Sequence, residues 1–209
     1  VPADGWLLEH LEGHRLAGRT TAVAILGYTS FPATWDSPFL RWINEHGAQF
    51  GNALIEDPSR VPFNFFYTSN ISLPRAIFEE FGGFREDFPA AAWEDIEFAY
   101  RVVDAGLTLC YRPRARTVHQ HRIGIRSFCR RQKTSGRSAA IFARLHPELE
   151  AFLGVGCIGR SNLRSRLSRP LLRSWIRLGE LIPGLVSNGD YRRLLDGYYL
   201  EGLRVSLRK

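Results

Sequence analysis

Apolar residues recur along this chain with periods that change from stretch to stretch. Near the start, Trp6, Leu7, Leu8 and Leu11 fall on one side of a helix that Asp4 can cap and that runs out near Gly18. "TTAVAILGYTS" (residues 20–30) is a β-branched and apolar run, the pattern of a buried strand. Pro32 and Pro38 bracket a loop, and "PFLRWINEHGAQFGNAL" reads as one or two short amphipathic helices. "VPFNFFYTSNISLP" is aromatic-rich and strand-like up to Pro74. "RAIFEEFGGF" is a short helix stopped by Gly82 and Gly83. Helical spacing returns between Trp93 and Asp104, with Ile96, Ala99, Tyr100 and Val103 apolar and Gly106 as the stop. "LTLCYRP" and "RTVHQH" then predict two short strands around Pro113.

Past His121 the period becomes helical throughout. Three stretches, from Ser127, Ser165 and Asp190 onward, are basic on one side and apolar on the other. The expected organisation is therefore an α/β part over residues 1–121 and a basic helical extension over 122–209, with no internal repeat.

Charge sharpens that division. Residues 1–121 carry 10 Lys/Arg against 15 Asp/Glu, and residues 122–209 carry 18 against 6, so a net of −5 is followed by a net of +12. A basic segment of that size suggests an anionic partner, such as a membrane surface, a diphosphate or a nucleic acid, or else is a solvated helical surface. No nucleic-acid motif is present, and aromatics are not interleaved with the basic residues as stacking platforms would require, so nucleic acid is not expected.

No run of about 18 apolar residues predicts a spanning helix. The first residues show no basic stretch followed by an apolar one. Cys110, Cys129 and Cys157 lack metal-type spacing and fit idle thiols in a reducing compartment. The sequence has no methionine, so Val1 reads as a processed end or the edge of a fragment.

Several residues could carry chemistry. In "WEDIEF", Asp95 lies in the first turn of a helix, where the dipole favours a carboxylate and where it could also serve as a general base. His119 and His121 in "VHQH" would share a strand face and could bind a divalent metal, or be surface residues. His10 and His14 are four apart but lack the glutamate of a zinc-protease helix, and read as a solvated face. Thr68, Ser69 and Asn70 could bind a ligand or make a turn. Tyr67, Phe84 and Trp93 could stack on sugars or fill a core. Arg130 and Arg131, with Lys133 and Arg137, could clamp a phosphate or form a plain basic surface.

The order of these pieces is more specific than any one of them. "TSNISLPRAIFEEFGGFREDF…WEDIEFAYRVVDAGLTLCYRPRARTVHQH" resembles the second half of the family 2 inverting glycosyltransferases with the GT-A fold, over roughly residues 1–145. The resemblance implies a partial GT-A, Rossmann-like mixed sheet. It implies Asp95 as the base that deprotonates an acceptor hydroxyl, Glu94 as its acceptor-orienting neighbour, and Trp93 in the acceptor site. Thr68, Ser69 and Asn70 match the segment lining the donor sugar. His119, with His121 as the alternative, matches the histidine that completes Mg2+ or Mn2+ coordination on the donor diphosphate.

The family's nucleotide-binding half and its metal-binding Asp-x-Asp are expected before "VPADGWLLEHLEGHR", where Asp4 matches a variable position. The expected partners are a nucleotide-sugar donor and a glycan or lipid-linked acceptor of cell-envelope type. The amphipathic tail, including "RPLLRSWIRLGELIPGLV", would rest on an anionic membrane. The matching location is the cytoplasm, at the inner membrane face if the tail binds there. The competing reading is a catalytically silent glycan- or membrane-binding module of the same fold.

Overall fold

The computed structural model describes residues 1–18, 22–47, 49–160, 163–182 and 184–208, with the side chains of 160 and 163–166 left aside. Residues 20 and 21, at the head of the expected first strand, lie outside that set. The chain is α/β: among the described residues there are three strands and seven α-helices. It divides into two compact units. One comprises residues 1–36, 40–85 and 94–121, the other residues 37–39, 86–93 and 122–209.

The first unit is built on a mixed sheet ordered β2-β1-β3. Strand β1 (Val23–Ser30) is central and almost continuously buried, as its apolar run demands. It pairs antiparallel with β2 (Ile71–Ser72) and parallel with β3 (Thr108–Val118). This arrangement is compatible with part of a Rossmann-like GT-A sheet. The expected two strands around Pro113 are in fact one. β3 runs through, but its register against β1 jumps from Gly27↔Arg112 to Tyr28↔Arg116. Pro113 has no N–H to give the ladder, so the strand bulges there instead of ending.

Helix α1 (Trp6–Ala17) ends at Gly18 as expected, but its cap is Gly5 in the left-handed region, with no side-chain cap bond from Asp4. Helix α2 (Pro38–Glu45) follows a short 3-10 turn. The aromatic stretch 61–74, expected as a strand, is mostly loop and turn, with a 3-10 turn at Phe63–Phe65 and only Ile71–Ser72 in the sheet. Its rings go into the core rather than along a ladder: Phe66 packs on Phe98, which also meets Phe78 and Phe84. Phe98 sits on α4 (Glu94–Asp104), and Phe78 on α3 (Arg75–Glu80). Also from α4, buried Glu97 holds Arg101, whose guanidinium donates to the carbonyls of Phe81 and Gly83. The turn that ends α3 is thereby tied to the helix carrying the acids.

The second unit is helical. Helices α5 (Ile125–Leu145) and α7 (Asn188–Leu207) approach so closely that a Cβ at Gly136 would overlap the Tyr199 carbonyl oxygen. One at Gly202 would overlap that of Lys133. Only glycine allows that backbone contact. Phe39, Phe128, Phe142, Leu153, Ile176, Leu194 and Leu203 are fully buried here. Helix α6 (Leu163–Gly179) supplies Ile176 and carries Pro170 inside it. Among the described residues no helix is long and apolar enough to cross a membrane.

Candidate active site

Asp95 stands in the first turn of α4, half-buried. One carboxylate oxygen accepts from the Thr68 N–H and the Thr68 hydroxyl, each at 3.4 Å, and the other accepts from the Ile96 N–H at 2.9 Å. Burial, and then the charge of Glu94 beside it, push its pKa from the usual 3.8 up to about 6, against the pull of the Thr68 and Ile96 N–H groups. A helix N-terminus favours an anion by about 0.3–1 kcal/mol. A rise of that size corresponds to about 3 kcal/mol. Desolvation therefore wins over the dipole, and no cation among the described residues offsets it.

Glu94 places one carboxylate oxygen, Oε2, inside the protein with no hydrogen-bond partner. The Tyr67 phenol is also pushed upward, by burial and then by the Asp95 charge, so it stays a neutral O–H. Asp95 thus has a second acid and a phenol for neighbours, with little compensation. Such an arrangement suits a proton acceptor better than a structural ion pair.

β3 stops at Val118, so His119 and His121 lie just past the strand and not on one of its faces. The His119 N–H still donates to the Ser30 carbonyl at 2.7 Å. Its ring meets Phe31 and Phe50, each at 5.9 Å between centroids, and His121 at 6.1 Å. Phe50 also meets Tyr67 at 5.9 Å, so one ring links the histidine end to the residue beside Thr68. Tyr67 is among the aromatics the sequence singles out, whereas Phe50 looks there like any core aromatic. As a metal site, the histidines offer two imidazole donors. Among the described residues no group of three or more His, Cys, Asp or Glu could hold an ion.

Thr68 and Ser69 are exposed, with the Ser69 hydroxyl 3.4 Å from that of Thr29. Asn70 is buried, and its side chain is fully engaged in the fold. Its oxygen accepts from Trp6 Nε1 and His10 Nε2, and its NH2 donates to the carbonyls of Tyr28 and Ala115. Asn70 positions the 67–70 turn on the sheet bulge. The expectation of a solvated His10 and His14 is corrected by the same cluster. His10 is buried between Asn70 and the Ser72 hydroxyl, and His14 bonds that hydroxyl at 2.9 Å. Burial lowers the pKa of both.

The remaining candidates belong to the second unit. Trp93 has a positive φ of 76°, unusual for a bulky residue. Its indole N–H donates to the Ser135 carbonyl, and its ring packs against Phe142, Phe152 and Tyr199. Arg130 and Arg131 are exposed on α5, the Arg131 guanidinium lying over the Phe128 ring.

Comparison with known proteins agrees on the class of chemistry. The chain is 35% identical over 166 residues to the validoxylamine A glucosyltransferase of Streptomyces hygroscopicus subsp. jinggangensis, a match covering 71% of this chain and 38% of that protein. It is 36% identical over 156 residues to the pre-mycofactocin glycosyltransferase of Mycobacterium tuberculosis, covering 74% of this chain and 32% of that protein. No family model and no solved structure matches. The chain is therefore related in sequence to glycosyltransferases, and it spans about a third of the length of the curated relatives it matches.

Proposed function

We propose that this chain is the acceptor-side part of an inverting, family 2-type glycosyltransferase that moves a hexosyl group from a nucleotide sugar to a hydroxyl. The observation that carries the reading is Asp95, a half-buried carboxylate with a pKa of about 6 and, among the described residues, no cation offsetting it. Above that pH it is an anion ready to take a proton, and its basicity is matched to neutral conditions. It takes the proton from the acceptor oxygen as that oxygen attacks the anomeric carbon and the nucleoside diphosphate leaves from the opposite face.

Glu94 orients the acceptor through the carboxylate oxygen that the fold leaves unbonded. The exposed Thr68 and Ser69 line the donor side, and Asn70 holds them in place. Trp93 contacts the acceptor, and Arg130 and Arg131 serve anionic groups of the substrates. His119, with His121 as the alternative, supplies a ligand toward Mg2+ or Mn2+, whose charge would offset that of the leaving diphosphate. The acceptor is a glycan or lipid-linked glycan met at an anionic membrane surface, on the cytoplasmic side.

The test is nucleotide-sugar-dependent transfer by the natural gene product, with and without Asp95→Asn. The variant is expected to lose roughly 10²–10⁴-fold in kcat with KM little changed. Wild-type kcat should rise with pH and level off above about 6, the value for Asp95. An Asn variant that keeps its kcat and its pH profile would remove Asp95 from the role of base.

A further inference from the structure

We propose that the outward face of α6 is the element that docks this protein on an anionic lipid bilayer, an inference that rests on the membrane part of the reading above. At 100° per residue, Leu167, Leu171, Trp175 and Leu178 fall within an arc of about 80°. They stay 69%, 75%, 43% and 45% exposed. Leu181 and Ile182, in the turn that follows, extend the patch at 79% and 47%. The helix is firmly seated on its other side: Ile176 is fully buried, and Arg169 is 5% exposed and bonded to Glu201 and the Gly197 carbonyl. The outward leucines are thus not a consequence of a helix facing the wrong way.

Charge selects the occupant. From Leu163 to Gly179 the sequence has five arginines and no acid. Exposed Arg177 lies about 80° beyond the Leu167 edge of the arc, whereas half-buried Arg173 falls on the inner side of the helix, near the Tyr198 hydroxyl. Trp175 lies at the opposite edge. An apolar face with a tryptophan border and an arginine flank is the pattern of a helix lying in a membrane interface, with the guanidinium groups at headgroup level. Docking a second copy through this face would bring like charge onto like charge, in a region carrying a net +12.

The test is flotation of the 209-residue chain with vesicles of phosphatidylcholine alone, or of equal parts phosphatidylcholine and phosphatidylglycerol. Wild type should bind only the anionic vesicles, and less at high salt. Leu171→Glu with Leu178→Glu should weaken binding roughly a hundredfold. Arg177→Gln should weaken it about fivefold. Leu8→Glu with Leu11→Glu, on exposed positions of α1, should leave it unchanged. Far-UV circular dichroism checks that each variant is folded, which these exposed positions permit. If wild type binds and the α6 pair binds equally well, the membrane reading survives and α6 is the wrong element. If wild type binds neither vesicle, the membrane reading fails and this inference with it. A concentration-dependent dimer that the α6 pair abolishes, without vesicle binding, would make a second copy the occupant and overturn the proposal.

Discussion

Two carboxylates, one in each unit, have opposite fates. Asp95 is half-buried with another acid for a neighbour, and its pKa rises to about 6. Glu201 on α7 is also half-buried, and burial alone would raise it too. The hydrogen bonds from Lys133 at 2.5 Å and Arg169 at 2.6 Å outweigh burial and hold it below the usual carboxylate range. The difference lies in what each unit does with its cations. The helical unit uses a lysine and an arginine to neutralise a buried acid and thereby cross-link α5, α6 and α7. The α/β unit leaves its acids at the head of α4 uncompensated, which costs stability and keeps a proton acceptor available.

Removing the acid from the paired site should have the largest effect. Glu201→Gln leaves Arg169 buried without its partner and is expected to cost about 3–5 kcal/mol in urea unfolding. A change below about 1 kcal/mol would mean that the pairing is incidental. At the unpaired site the sign reverses. The folded state holds the Asp95 proton to higher pH than the unfolded chain does. Its stability contribution is therefore present below about pH 4 and lost as pH rises through 6. Asp95→Asn should accordingly gain about 1–2 kcal/mol at pH 8 and almost nothing at pH 4. Equal stability of the two proteins at both pH values would show that the carboxylate is not strained. The smallest effect belongs to Thr68→Val, which removes one 3.4 Å hydroxyl contact. It should change stability by less than about 0.5 kcal/mol and move the Asp95 titration slightly upward, read by NMR.

Much of the frame was legible because the local signals were strong. The buried run of β1, the glycine stops after α1, α3 and α4, and the periodicity of the last three helices all appear where the pattern puts them. Asp95 at the head of a helix was legible for the same reason. What misled were residues whose partners come from far along the chain. Phe63, Phe65 and Phe66 have strand propensity but answer to a tertiary aromatic cluster. His10 looks exposed by helical spacing until Asn70, 60 residues away, reaches it. Pro113 reads as a break in a strand, but the sheet absorbs it as a bulge. The raised pKa of Asp95 was legible only in part: Glu94 beside it is plain in the sequence, but burial, the larger cause, depends on the fold.

The Asn70 amide carries one last consequence, for reading a mutational scan. Its four bonds join α1, β1, the bulge of β3 and its own turn, and no other side chain can donate twice and accept twice from that spot. Aspartate would lose both donors, and alanine would lose all four bonds. Either substitution would lower activity by loosening a junction, and in a loss-of-function map position 70 would then be indistinguishable from a residue proposed to line the donor side, such as exposed Thr68. Only measuring the melting temperature beside the turnover would separate the hinge pin from the handle.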